Sequence, residues 1–226
     1  MKYFSLLISW VVAVVMTLSW LNTGTLRADP ADDFSFSLTH APRPESFDTL
    51  SRNRVAEILR DRLDLFPASQ TPKLANHLIQ LCRQYRFDPA FILAVIQIES
   101  MFKIQAVSPV GALGLMQLMP GTALMIARDW GIYTSAVEKG GTRAILDPYV
   151  NMSLGVAYLA WLRDHYWGKS PYYILAAYNA GPGKIDELIA KKNFTPVTTL
   201  KYFQDIRRAL PEFRYYRSRV GGQSGV

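Results

Sequence analysis

The chain has 226 residues, a hydrophobic fraction of 50%, a single cysteine and a formal net charge of +7. This length suits one or two domains with a buried core, and one cysteine, Cys82, excludes an intrachain disulfide. The basic excess suits an anionic polymer or a membrane surface, but no zinc, helix-turn-helix or RNA-binding signature accompanies it, so we do not expect nucleic-acid binding.

Residues 1–28 have the composition of an export segment. Lys2 is the only charge before an apolar run that extends from Tyr3 to Leu21. This run is long for a cleaved signal peptide and barely long enough to span a bilayer. We therefore predict either a signal peptide or an uncleaved membrane anchor, with the rest of the chain exported.

Four further segments are predicted beyond this one. Residues 29–50 contain several prolines and lack hydrophobic periodicity, which is typical of a linker. Residues 51–70 predict a helical extension, because apolar residues recur there at helical spacing. A single helical domain is expected over residues 71–220, followed by a tail at 221–226.

Pairs of a capping residue and proline mark three helix starts, because such a pair favours initiation. Thr71-Pro72 opens a predicted helix, and Asp88-Pro89 and Asp147-Pro148 open two more. Shorter helices are predicted at residues 51–66, 121–130, 171–178, 183–192, 198–209 and 212–220, with a variable loop at 131–145. No alternating pattern is long enough for a sheet, so the fold is predicted to be mostly α.

Glu99 is the only acidic residue between Asp88 and Asp129, and it follows the apolar run Phe-Ile-Leu-Ala-Val-Ile-Gln-Ile. On a helix it falls inside or beside an apolar stripe. Burial raises the pKa of a carboxyl, so Glu99 is a candidate proton donor near neutral pH. From these residues alone, a carboxylate paired with a base or exposed at the helix end is an equal alternative.

Three short motifs follow one another along the chain. Glu99-Ser100 precedes a glycine-bearing turn, and residues 114–117 read Gly-Leu-Met-Gln. The amide of Gln117 stands among apolar neighbours and is suited to orienting a hydroxyl or acetamido group. Residues 177–181 read Ala-Tyr-Asn-Ala-Gly and place a phenol and an amide before a glycine turn.

Together these motifs resemble the lytic transglycosylases of the soluble-lytic-transglycosylase (SLT) domain family, in the lysozyme superfamily. The resemblance extends over residues 74–220. It implies a goose-type, lysozyme-like helical domain with a substrate cleft, acting as a monomer on peptidoglycan glycan strands. The location implied is the periplasm, either free or anchored in the inner membrane. No cofactor or metal is expected.

The resemblance also implies site residues. Glu99 takes the place of the catalytic acid and base, and Tyr178 that of a tyrosine whose hydroxyl lies near this carboxyl. The substrate-binding positions implied are Ser100, Met116, Gln117, Asn179 and Glu212. The last rests on residues 212–216, which resemble a Glu-Thr-Arg-x-Tyr element with Phe213 in place of threonine. A helix-capping carboxylate is an equal alternative for Glu212.

The residues themselves favour a single-acid mechanism. Most glycosidases use two carboxylates, but no second acid lies within one helical turn of Glu99 or in the loop up to Gln117. We predict that Glu99 protonates the glycosidic oxygen and later accepts a proton from the muramoyl 6-hydroxyl, while the 2-acetamido group stabilises the charged centre. A 1,6-anhydro product is implied by the resemblance. Goose-type muramidase hydrolysis and a non-catalytic peptidoglycan-binding scaffold are the alternatives.

Overall fold

Helices account for nearly all regular structure in the computed structural model, which describes residues 50–191 and 197–214. The helices in these two ranges are α1 Arg52–Arg62, α2 Thr71–Tyr85, α3 Pro89–Ser100, α4 Pro120–Asp129, α5 Thr134–Ile145, α6 Pro148–His165, α7 Pro171–Ala180, α8 Pro182–Ala190 and α9 Val197–Arg214. A 3₁₀ turn, Ala68–Gln70, joins α1 to α2. The described residues form no extended strand, only isolated bridges, so the predicted mostly α fold is confirmed.

Side-chain caps open the helices that carry the site. The Asp88 carboxylate accepts the Ala90 N–H at 2.8 Å, and Asp147 accepts two N–H groups at the start of α6. A proline follows each of these caps, as the sequence predicts. The start of α2 differs, because Gln70 is the capping position and Thr71 lies inside the helix, where its hydroxyl donates to the Ala68 carbonyl.

Helices α3 and α6 form the centre of the hydrophobic core. Residues 90–96 of α3 are completely buried, as is most of α6 from Val150 to Ala160. Helix α9 packs along α3 in the opposite direction, because Tyr202 near its start contacts Glu99 and Arg214 at its end binds Asp88. The last turn of α3 therefore lies beside the first turns of α9.

Three boundaries differ from the sequence-based predictions. The predicted loop at 131–145 is mostly helix α5, which kinks at Gly141 with a φ of 50° instead of ending there. The helices predicted at 198–209 and 212–220 are continuous as α9 up to Arg214, with Pro211 inside. Leu50, assigned to the linker, is only 3% exposed and belongs to the core.

The predicted export segment at 1–28, residues 29–49 of the predicted linker, residues 192–196 and 215–220 of the predicted domain, and the tail at 221–226 lie outside the described residues. Within the two described ranges, no helix is long and apolar enough to cross a membrane.

Candidate active site

Glu99 lies in the last turn of α3, next to the end of the helix. The chain then turns sharply, because Met101 and Phe102 both adopt left-handed backbone conformations, with φ of 53° and 63°. Burial raises the pKa of Glu99 to about 7, and a hydrogen bond from Tyr202 opposes this shift. The carboxyl is therefore protonated in about half of the molecules at neutral pH. The sequence-based expectation of a raised pKa agrees with this environment.

Tyr202 is the residue that directly contacts this carboxyl. Its hydroxyl donates to Glu99 Oε1 in a short hydrogen bond. The side chain is only 7% exposed, and burial, with the neighbouring Glu99 charge, raises its pKa well above the usual range. The phenol therefore stays protonated and remains a donor at neutral pH.

The sequence analysis did not identify Tyr202, although a signal for it is present. Thr199 and Tyr202 have the Thr-x-x-Tyr spacing of the Glu-Thr-Arg-x-Tyr element, with Thr198 in the position of glutamate. The element was instead aligned with residues 212–216, where Tyr215 and Tyr216 lie outside the described residues. The contact between Tyr202 and Glu99 favours the alignment of this element with residues 198–202.

Glu212 does not fill the role that the alignment gave it. Its carboxylate forms an ion pair with Arg62 at the end of α1, and its side chain remains 47% exposed. The charge therefore faces α1 and solvent, because this part of α9 lies beyond the turn that carries Tyr202. Tyr202, not Glu212, is the α9 residue at the predicted catalytic acid.

Tyr178 also makes a different contact from the one expected. Its hydroxyl donates to the Met116 carbonyl at 2.7 Å, not to Glu99. Glu99 is nevertheless close enough for its charge to raise the pKa of Tyr178, after the larger effect of burial. The ring packs against Tyr158, with centroids 5.3 Å apart. Tyr178 thus links α7 to the Gly-Leu-Met-Gln turn beside the carboxyl.

Asn151 holds the same turn from the opposite side. Its fully buried amide donates to the Leu113 and Ile145 carbonyls and accepts the Met116 N–H at 2.7 Å. A Cβ on Gly114 would lie 2.4 Å from this amide, and Gly114 also has a positive φ of 76°. The close approach explains why glycine occupies this position.

Of the predicted substrate-binding residues, Met116 and Ser100 are buried. The Met116 side chain packs against Gly155, where an added Cβ would lie 2.5 Å from its sulfur. The Ser100 hydroxyl donates to the Ile96 carbonyl within α3 and is 4% exposed. Both side chains therefore pack in the protein interior next to the site instead of lining a cleft.

Gln117 and Asn179 have side chains that reach the surface. The Gln117 amide nitrogen donates to the Gly114 and Ala106 carbonyls, at 2.9 and 3.2 Å, and thereby closes its own turn. This leaves the carboxamide oxygen as the group that can accept a hydrogen bond from a ligand. Asn179 is exposed near the end of α7.

The charge balance around Glu99 is simple. Burial and the Tyr202 hydrogen bond account for its pKa, and no carboxylate in the described part of the chain contributes. Those same residues also contain no group of three or more histidine, cysteine, aspartate or glutamate side chains that could hold a metal ion. A proton donor with one phenolic partner is the chemistry that this arrangement offers.

Comparison with known proteins agrees with this geometry. The Transglycosylase SLT domain family matches residues 77–199, just over half of the chain. The soluble lytic murein transglycosylase of Escherichia coli (strain K12) is 37% identical over 98 residues, and that of Salmonella typhimurium is 35% identical over 96. These matches cover 42% of this chain but only 14% of each relative.

A solved structure is similar as well. The 70 kDa soluble lytic transglycosylase SLT70 from Escherichia coli aligns with a TM-score of 0.51 at 25% identity. The alignment covers 76% of this chain and 29% of SLT70, so the similarity concerns one part of a longer protein. Because the family match spans more than half of its length, this chain belongs to the Transglycosylase SLT domain family.

Proposed function

We propose that this chain is a peptidoglycan lytic transglycosylase that cleaves the β-1,4 bond between N-acetylmuramic acid and N-acetylglucosamine. The observation that carries the proposal is the Glu99 carboxyl, with a pKa of about 7 and a hydrogen bond from Tyr202. Membership of the SLT family and relatives that are named soluble lytic murein transglycosylases support the substrate class.

The first step is proton transfer from Glu99 to the glycosidic oxygen. A pKa near the working pH keeps a substantial fraction of the acid protonated while allowing the proton to leave. When it leaves, the Tyr202 hydroxyl donates to the new carboxylate and stabilises it. Breaking of the bond leaves positive charge at C1 of the muramoyl ring, which its own 2-acetamido oxygen stabilises.

The second step uses the same residue as a base. The Glu99 carboxylate accepts the proton of the muramoyl 6-hydroxyl, whose oxygen attacks C1 and closes a 1,6-anhydro ring. Glu99 is again protonated and no water is consumed. Within the described part of the chain, no second carboxylate contributes to the Glu99 pKa. This favours the single-acid route over a hydrolysis that uses two carboxylates.

Substrate orientation is assigned to two amides, the half-buried Gln117 and the exposed Asn179. We place the Gln117 carboxamide oxygen and the Asn179 side chain against the sugar hydroxyl or acetamido groups, since both are accessible. We further propose that residues 1–28 export the chain to the periplasm as a signal peptide or a membrane anchor, and that residues 71–220 form the catalytic domain.

The test is mass spectrometry of the products released from purified murein sacculi. Muropeptides with 1,6-anhydro ends are the expected product. Reducing ends would identify a goose-type muramidase, and no soluble product would identify a binding protein. Glu99→Gln should lower turnover by about two to four orders of magnitude, the usual contribution of general acid–base catalysis, and should still bind sacculi. Glu187→Gln, on the exposed face of α8, is the control expected to keep full activity.

A further inference from the structure

Helix α1 lies before residue 77, where the family match begins, yet its end contacts both helices that form the Glu99 site. Arg62, the last residue of α1, lies between α3 and α9. Asp64, two residues later, reaches the segment that leaves Glu99. These contacts link an element outside the matched region to the predicted catalytic acid.

Arg62 joins α3 to α9 through one guanidinium group. Nη1 donates to Gln97 Oε1 at 3.2 Å, and Gln97 lies two residues before Glu99 in α3. Nη2 forms an ion pair with Glu212 of α9, the helix that carries Tyr202. The rigid planar fork of arginine suits two simultaneous acceptors, which lysine cannot match.

Arg62 also makes contacts beyond this ion pair. Its side chain is 20% exposed and that of Glu212 is 47% exposed, so solvent partly screens the charge interaction between them. The guanidinium carbon lies 6.0 Å from the ring centre of Phe213, a fully buried residue of α9. Phe213 in turn packs against Phe102, which follows Glu99 in the sharp turn.

Asp64 fixes the other side of this turn. Its carboxylate accepts the backbone N–H of Ile104 at 2.8 Å. Ile104 is 5% exposed, and the chain between Glu99 and Ile104 includes the left-handed residues Met101 and Phe102. An anchor at Ile104 restrains a backbone segment that has few regular hydrogen bonds of its own.

We propose that Arg62 and Asp64 are positioning residues, which brace α3 against α9 and so hold the Glu99 carboxyl at the Tyr202 hydroxyl. The kinetic part of this inference rests on the proposed function. The hydrogen bond between Tyr202 and Glu99 requires alignment of two side chains that are 103 residues apart in sequence. The brace supplies that alignment without itself touching the substrate.

The first experiment compares Arg62→Ala with Arg60→Ala. Arg60 lies on the same helix but is exposed and pairs with its neighbour Asp61, so it is a matched control. For Arg62→Ala we expect kcat to fall about tenfold with KM within about twofold, the signature of an effect on the reacting groups rather than on binding. Arg60→Ala should be unchanged. Arg62→Lys should restore kcat only in part, because it lacks the fork.

The pH dependence of kcat distinguishes a positioning role from a loss of stability, because lower stability alone does not shift it. Tyr202 and Tyr178 are the titratable groups beside Glu99, and of these two the Tyr202 hydrogen bond lowers the pKa of the carboxyl. Weakening that bond raises the pKa, so the high-pH limb of kcat should move upward by about half a pH unit in Arg62→Ala. Asp64→Ala, which removes the acceptor for the Ile104 N–H, should move it in the same direction.

A double-mutant cycle then tests whether Arg62 acts through Tyr202. In a Tyr202→Phe background the contact to Glu99 is already lost, so Arg62→Ala should add no further shift. Equal shifts in both backgrounds, or an unshifted limb in Arg62→Ala, would overturn the proposal.

NMR titration of ¹³C-labelled glutamate separates this inference from the proposed function, because it reports the Glu99 pKa without turnover. A raised Glu99 pKa in Arg62→Ala supports the brace even if the wild-type chain releases no anhydro-muropeptides. An unchanged Glu99 pKa in a folded Arg62→Ala protein overturns it even if the wild-type chain is active.

Discussion

The position of Glu99 in the fold makes its ionised form unfavourable. A carboxyl with an ordinary pKa of 4.5 has its pKa raised to about 7, mainly because the folded protein removes it from water. Residues 90–96 of the same helix are completely buried, whereas Glu99 itself is half-buried near the helix end. The same burial that makes Glu99 a usable acid makes its ionised form costly.

Stability should therefore depend on pH through Glu99. Below pH 4.5 the carboxyl is protonated in both states. Between pH 4.5 and 7 the unfolded chain releases the proton while the folded chain retains it, so stability falls as pH rises. The full cost is on the order of 3 kcal/mol above pH 7. Glu99→Gln should then melt several degrees above wild type at pH 8 and at the same temperature at pH 4.

Calorimetry at the two pH values checks this prediction. Glu187→Gln serves as the control, since its carboxylate is 61% exposed and pairs with Lys191 at the surface. The control should show little pH-dependent difference. An equal gain for Glu99→Gln at pH 4 and pH 8 would mean that ionisation of Glu99 is not the cause.

The two tyrosines near Glu99 should behave differently when their hydroxyls are removed. Tyr202→Phe removes the donor to Glu99, so kcat should fall about ten- to a hundredfold, or about 1.4–2.8 kcal/mol of barrier. The high-pH limb of the kcat profile should move to higher pH, because the interaction that lowers the Glu99 pKa is lost. Tyr178→Phe removes only a bond to the Met116 carbonyl, so the limb should stay in place. A shifted limb in Tyr178→Phe alone would return the main role to Tyr178.

At the scale of elements, α6 supports the site through one buried amide. The Asn151 amide forms hydrogen bonds with two backbone carbonyls and one backbone N–H. Because the amide is buried, water cannot take its place as their partner. Asn151→Ala should lower the free energy of unfolding by about 2–4 kcal/mol, since three buried backbone groups lose their partner. Activity should fall as well, because Gln117 follows the released turn. Urea unfolding measures the first effect, and Asn179→Ala, at an exposed position, is the control expected to keep stability.

Local signals were sufficient for much of the helical architecture. A cap followed by proline at Asp88 and Asp147 acts on its own helix, so neighbouring residues contain the information. Helix α5 was missed because Gly140 and Gly141 are typical of a loop, whereas packing keeps the helix going through a kink at Gly141. Helix α5 packs against α4 and α6, and a local sequence pattern contains no information about these contacts.

The site residues likewise divide into one that the neighbouring sequence identifies and others that depend on helix packing. Glu99 could be identified because its apolar surroundings are adjacent in sequence. The choice between Tyr178, Tyr202 and Glu212 could not be made, because it depends on the direction and register in which α9 packs on α3. A shift of the alignment by about four helical turns replaced the tyrosine at the acid with a glutamate that binds Arg62.

For the molecule as a whole, α3 is held at both ends by α9. Arg214 binds Asp88 at 3.2 Å where α3 begins, and Tyr202 binds Glu99 where it ends. Between them Arg62 of α1 connects the same two helices. Contacts from two separated parts of the chain, α1 and α9, therefore converge on one helix, so the domain must fold as a unit before Glu99 has its partner.

The last prediction concerns where the folded unit begins. Leu50 is 3% exposed and, with Ile79 and Cys82, lines a cavity of about 200 Å³. A chain that starts at Ser51 should fold and cleave sacculi, because α1 and its contacts are retained. It should be less stable than a chain that starts at Glu45 by about 1.5–3 kcal/mol, the value of one buried leucine. Leu50→Ala in the longer chain separates this loss of burial from the effect of a new terminus and should account for most of the difference in urea unfolding. Equal stability of all three chains would show that the folded unit begins after residue 50, and an unfolded short chain would show that the preceding residues are part of it.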